Sequence, residues 1–298
     1  GKIEVEVETI KQTLIDRAKI QLRKEEKLTN KHEEVWMDEI GSRYQNPKDF
    51  TKKVMLVVVT PQTKEEYEST DEFKAIQSLI YNEISYDTNG EIQLPLDIRI
   101  VAENKRGLSE VYNEFIHIDY SEYYVCFIHD DLTILDTQFF NKIQKYHETY
   151  EVLGVAGATQ FRLPFREGFR TAWHMLAQDE NNVKHMAGSV MHSANDSAGN
   201  EKFWTTDFGP TPATGKLIDG LFMSFDVSKC LEFNFQFDNR FNFHHYDLAA
   251  SLNALSCGFS IGIVPITTYH KGTGDSMNSP EWTLSHRKFV DAFRNYGR

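Results

Sequence analysis

From Val54 to Thr60 the chain reads Val-Met-Leu-Val-Val-Val-Thr, with no polar position interrupting it. An unbroken β-branched run predicts a strand covered on both faces, as in a parallel sheet, and Pro61 ends it. Phe73, Ile76, Leu79, Ile80 and Ile84 then recur at three- and four-residue spacing, the period of a helix with one buried face. The two periods keep alternating. Residues 96–102 predict a second strand, 108–116 a second helix, 123–128 a third buried strand and 139–150 a third helix. Strand alternating with helix predicts right-handed βαβ units and an α/β fold with an open, mixed, mainly parallel sheet flanked by helices. Ligands of such sheets sit beyond the carboxyl ends of the strands. Thr60, the turn 103–107 and His129-Asp130-Asp131 therefore fall on one rim.

The two ends of the chain have other textures. Ile3, Val5 and Val7 alternate with Glu4, Glu6 and Glu8, a pattern for a short edge strand. Residues 10–38 are densely charged, with Ile10, Leu14, Ala18 and Leu22 four apart, which predicts an amphipathic helix with a narrow apolar stripe. Packing on the domain behind it and self-association through residues 1–50 both fit. The expected organisation is an N-terminal strand/helix extension over 1–50 and one domain over 51–298. Residues 157–216 are rich in Gly, Ser, Thr, Asn and His and predict long functional loops. A Phe-rich stretch (233–243), a helix (246–255) and a late strand (262–268), ending at Tyr269-His270, follow.

Composition narrows the function classes. A chain of 298 residues with 21 Phe and 13 Tyr buries a full core and is not disordered. A net charge of −12 argues against nucleic-acid binding, which needs a positive field to displace counterions; a small basic recess for a diphosphate stays open. Cys126, Cys230 and Cys257 lack CxxC spacing and fit buried free thiols of a reducing compartment. No apolar run approaches the ~20 residues of a membrane span, and no signal-peptide core stands at the start. A cytoplasmic chain is expected.

Chemistry concentrates at four places. His129-Asp130-Asp131 puts two adjacent carboxylates at the exit of a buried strand. Their repulsion is offset by a hard divalent cation shared with a diphosphate, or the acids cap the next turn. Asp247, in His244-His245-Tyr246-Asp247, opens a predicted helix and is either a cap or an acid–base group. His270 returns to the rim ahead of the flexible Lys271-Gly-Thr-Gly, where it is either packed or a nitrogen ligand. Asn104-Lys105-Arg106-Gly107 brings positive charge to a helix start without GxGxxG or Walker spacing. Trp173, His174, Trp204 and Tyr246 are candidates for a stacking platform, with core or lid packing as the other reading.

The order "ENKRGLSEVYNEFI", "YYVCFIHDD", "GVAGA", "IDGLFMSF", "FHHYDLAASLNALSCGFSIGIV", "TYHKGTG", over about 54–274, resembles the GT-A glycosyltransferases, closest to family-2-like members with a His-x-Asp form of the DxD motif. The resemblance implies a GT-A fold, a divalent metal (Mn²⁺ or Mg²⁺), a nucleotide-diphospho-sugar donor (a UDP-sugar foremost) and a glycan, lipid-linked or protein acceptor. By position, Asp131 and His270 match the metal ligands and Asp247 the general base of inverting members. His129 replaces the first acid of the motif, and Asp130 is its middle position. Thr60, Asn104 and Arg106 fall where the nucleotide is held, and Asp219-Gly220 beside the donor sugar or acceptor. Ala102-Glu103-Asn104 stands where the family has an acidic turn. A nucleotidyltransferase lacks its phosphate loop here, and a zinc hydrolase lacks its ligand spacing. A catalytically inactive GT-A-like module that binds sugar nucleotides or assembles is the non-enzymatic alternative.

Overall fold

The computed structural model describes residues 52–82, 85, 86, 92, 93, 95–163, 170–195, 201–272, 277 and 279–296. The strand and helix expected over 1–50 lie outside them. In chain order the strands are β1 (Lys53–Val59), β2 (Ser85–Tyr86), β3 (Ile92–Gln93), β4 (Leu96–Val101), β5 (Tyr123–Ile128), β6 (Leu132–Ile134), β7 (Val152–Gly154), β8 (Ala156–Ala158), β9 (Met186–Asn195), β10 (Glu201–Gly209), β11 (Ala213–Gly215), β12 (Leu217–Ile218), β13 (Phe222–Asp226), β14 (Ile261–Ile263) and β15 (Thr268–His270). The helices are α1 (Lys64–Glu68), α2 (Asp71–Asn82), α3 (Leu108–Asn113), α4 (Phe139–His147), α5 (Trp173–Leu176), α6 (Val227–Glu232), α7 (Tyr246–Ser256) and α8 (Pro280–Phe293).

The main sheet runs β11-β14-β7-β13-β5-β1-β4. β1 is parallel to both β4 and β5. β13 is antiparallel to its neighbours β5 and β7, and β14 is parallel to β7. Five of the seven strands thus point one way, the open, mixed, mainly parallel sheet that the sequence predicts. From Val54 onward β1 is buried throughout, as its unbroken apolar run requires. α7 packs on β12 and β14, and α6 on β5 and β13. Phe127 of β5 stacks on Tyr112 of α3, ring centroids 4.1 Å apart, and meets Phe237 edge-on at 5.3 Å. Phe235, Phe237 and Phe241 of the Phe-rich stretch are buried, so that stretch plugs one face of the sheet.

A second sheet, β12-β8-β9-β15-β6 with β10 on β9, grows out of the rim. It corrects two expectations. Residues 157–216 are not simply loops: they hold the long β9/β10 hairpin, whose side chains alternate too weakly between apolar and polar to announce it. The single late strand is two, β14 in the main sheet and β15 in the second, because Pro265 interrupts the run between them. α3 and α4 end at Asn113 and His147, short of 116 and 150. Cys126 and Cys230 are buried free thiols, and Cys257 is partly exposed. Among the described residues no helix is long and apolar enough to cross a membrane.

Candidate active site

β1, β4 and β5 end together, which brings Thr60, Asn104 and His129 to one rim as the βαβ pattern requires. The Thr60 hydroxyl, fully buried, donates to Asp130 Oδ2 at 2.6 Å. The Asn104 amide donates to the Thr60 carbonyl at 2.9 Å. The Asn104 side chain folds onto its own turn, its Oδ1 accepting from the Arg106 amide at 3.2 Å. Arg106 turns outward and pairs with Glu114 and Glu110 along α3. The basic turn is therefore largely spent on its own helix.

From the end of β5 the chain passes through His129-Asp130-Asp131 into β6, and β6 pairs with β15, which carries His270. One ligand atom each of His129, Asp131 and His270 lies within 4.8 Å of the other two, the group of this kind found among the described residues. His270 Nε2 stands 3.2 Å from Asp131 Oδ1, and His129 Nδ1 stands 3.9 Å from it. Burial pulls the His270 imidazole down, but the hydrogen bond and charge of Asp131 outweigh it and carry the pKa up. Burial lowers that of His129, against the pull of Asp131. Asp131 itself is raised by burial and then carried below its ordinary value by His270 and His129.

Two imidazoles and a carboxylate converging on one point fit a divalent transition ion. Gly272 leaves the space beside them open: a Cβ there would stand 2.6 Å from Asp131 Oδ2 and 3.4 Å from His270 Nε2. Any side chain at 272 would occupy the approach to the carboxylate.

Tyr246, the first residue of α7, fixes His129. Its hydroxyl donates to the Gly220 carbonyl at 3.1 Å and lies 2.7 Å from His129 Nε2. With its one proton given to Gly220, the hydroxyl accepts from Nε2–H. That tautomer leaves the Nδ1 lone pair facing Asp131, the arrangement an outer partner imposes on a metal-binding His. Tyr246→Phe removes the acceptor and is expected to weaken Mn²⁺ binding about tenfold, measured by calorimetric titration; unchanged affinity contradicts the role. Gly220 is required for this contact, because a Cβ would meet the Tyr246 hydroxyl at 2.3 Å.

Asp247 follows directly. Its Oδ2 accepts from the Gly220 amide at 3.2 Å and its Oδ1 from its neighbour's amide, Leu248, at 2.9 Å. Burial, then the nearby charge of Asp219, push its pKa up to about 7, against those amides. Asp219 Oδ2 accepts from the Trp173 indole at 2.6 Å. Asp247 lies in the first turn of α7 but is not its cap, a place taken by His245 without a side-chain capping hydrogen bond; a carboxyl with its pKa near neutrality can exchange a proton there.

The start of α7 is set by His245, in the left-handed region at φ 62°. Thr171 Oγ1 lies 2.8 Å from His245 Nε2 and 2.7 Å from His286 Nδ1, and Ser285 Oγ lies 2.9 Å from His245 Nδ1. These contacts tie α8 to the turn and hold a backbone conformation that costs of order 1–3 kcal/mol elsewhere. Burial, with His286 and His244 nearby, lowers the His245 pKa to about 3, so the ring is neutral and structural.

The proposed stacking platform is corrected in part. Trp173 and Tyr246 are 5% and 4% exposed, with their polar atoms committed to Asp219 and to Gly220 and His129, so neither offers a face. Trp204 does. The roles of Tyr246 and Gly272 were not seen in the sequence; the adjacency of Tyr246 to Asp247 was the available signal.

No model of a known protein family matches the chain, and no curated protein matches it. Among solved structures, GalNAc-T7 with UDP, GalNAc and Mn²⁺ aligns over 82% of this chain and 48% of its own, at 10% identity and a TM-score of 0.47. A197 from STIV aligns over 74% of this chain and 82% of its own, at 9% identity and a TM-score of 0.33. The chain thus spans about half the length of GalNAc-T7, and neither likeness bears on its chemistry.

Proposed function

We propose that this chain is a GT-A-type glycosyltransferase that moves a sugar from a nucleoside-diphosphate donor to an acceptor hydroxyl with inversion. The observation supporting it is one rim that joins the triad His129, Asp131 and His270 to a proton acceptor, Asp247, through the adjacent Tyr246. In this reading the nucleoside lies toward Thr60, Asn104 and Asp130, with Arg106 reaching a phosphate only by releasing Glu114. Asp219 and Gly220 border the sugar. Bound at the triad, a divalent transition ion such as Mn²⁺ would supply Lewis acidity that neutralises charge growing on the leaving diphosphate.

The chain's own groups do the rest. Asp247 accepts the acceptor's hydroxyl proton as that oxygen bonds to the anomeric carbon and the carbon–oxygen bond to the diphosphate breaks on the opposite face. The products are the glycosylated acceptor, a nucleoside diphosphate and a protonated Asp247. Its site near neutrality suits this: the group is ionised when it takes the proton and holds it afterwards. Tyr246 and Gly220 keep base and triad in fixed relation.

The test is a thermal-shift screen of UDP-, GDP-, TDP- and CMP-sugars with Mn²⁺ or Mg²⁺, since a ligand of the native state raises the melting point by mass action. One donor is expected to raise it with metal and not with EDTA. The same donor set holds Fe(II) in oxygenases, so anaerobic Fe(II) is included. A shift with Fe(II) alone, insensitive to every nucleotide sugar, contradicts the transferase reading.

A further inference from the structure

A row of rings leads away from the triad across three strands. His270 of β15 stands opposite His192 of β9, and His192 stands opposite Trp204 of β10. Residues opposite one another project from the same face of a sheet. The ring centroids bear this out: His270 to His192 is 5.8 Å, and His192 to Trp204 is 5.6 Å with the planes 27° apart. Phe203, the next residue, turns to the other face and meets Tyr269. Trp204 remains 45% exposed on the face that carries the triad.

The contacts set an order along the site. Thr60 binds Asp130, the triad follows, and His192 and Trp204 come after His270. If the nucleoside of a donor lies on the Thr60 side, the far side is left for what receives the sugar. Two strand spacings, roughly 10 Å, separate Trp204 from His270, and the His192 ring fills the step between them.

We infer that Trp204 and His192 form the acceptor subsite and that the acceptor is a carbohydrate. The indole receives the C–H face of a pyranose, as an aromatic ring with an exposed face does, with the His192 ring stacked beside it. This rests on the transferase reading above. The family resemblance implies a glycan, lipid-linked or protein acceptor alike; the row of rings selects the first.

The experiment uses the full chain on an array of mono- to hexasaccharides, with UDP, GDP, TDP and CMP titrated in parallel by calorimetry with Mn²⁺. A glycan is expected to be captured by the wild type. Trp204→Ala should weaken that capture about tenfold or more, Trp204→Phe should restore part of it, and nucleotide binding should not change. Melting curves of both variants establish that they are folded. Three results overturn the inference: no glycan captured, capture indifferent to Trp204→Ala, or nucleotide affinity lost in Trp204→Ala, which makes the indole a nucleobase platform. Glycan capture that depends on Trp204, with no nucleotide bound by the wild type, upholds the subsite and sinks the transferase reading instead.

Discussion

Asp247→Asn is expected to lower the rate of transfer by a factor on the order of 10²–10⁴, the usual share of a positioned general base, and to make the metal-free protein more stable at pH 8. The two effects have one cause. In the folded chain burial and Asp219 hold the Asp247 proton up to about pH 7, whereas an unperturbed aspartate releases it near 3.8. Between those values the folded state binds more protons than the unfolded one. The stability that this proton confers is complete below 3.8 and lost as pH rises through about 7. Asn keeps the neutral form at every pH, so wild type and variant should melt alike near pH 3, diverge as pH rises from 3.8 to about 7, and differ by a constant amount above that. Each kcal/mol of difference moves the melting temperature roughly 2–4 °C in a domain of this size. Wild-type turnover should rise with pH through an acid limb near 7 that the variant lacks. A variant that turns over normally, or melts lower than wild type at pH 8, contradicts the assignment.

The second large effect concerns the triad. Asp131→Ala is expected to weaken Mn²⁺ binding by more than about 100-fold, beyond what loss of an outer partner costs. His270→Ala should do nearly as much. Asp130→Asn should spare metal affinity, because its carboxylate turns to Thr60 and lies outside the triad. Calorimetric titration of the three variants with Mn²⁺ checks this. The capping alternative predicts the reverse pattern, lower stability in Asp131→Ala with metal binding intact.

Much of the fold was legible because burial on two faces writes itself into composition. β1 and β5 are unbroken apolar runs, and they carry the rim with them. β13 is also wholly buried, but Ser224 and Asp226 interrupt its run, and it escaped notice. Ser224 is satisfied by His147 Nε2, 2.7 Å away, a partner that no local pattern reveals. The β9/β10 hairpin and the division of the late strand between two sheets depend on register with distant strands. They are tertiary facts, not periodic ones.

The site shows the same division. Asp131, His270 and Asp247 were named from residue type and order. His129 was placed toward the donor rather than among ligand atoms, because only the pairing of β6 with β15 reveals that its Nδ1 faces the same point as His270. Tyr246 was read as a sugar platform for want of the Gly220 contact that buries it. Arg106 falls where the resemblance holds the nucleotide, and the sequence shows its charge but not its pairing with Glu114. Charge is visible in a sequence; how it is spent is not.

The proposed transfer requires the triad and Asp247 to form one nucleotide-sugar site. The most direct measurement is release of nucleoside diphosphate from UDP-, GDP- and TDP-sugars, run with Mn²⁺ and with EDTA, for wild type, Asp131→Ala and Asp247→Asn. The account predicts release from one donor by the wild type with Mn²⁺ alone, none by Asp131→Ala, and strongly reduced release by Asp247→Asn while that variant still binds the donor. Release that persists in EDTA and in Asp131→Ala, or its absence for every donor when the wild type demonstrably holds Mn²⁺, contradicts it.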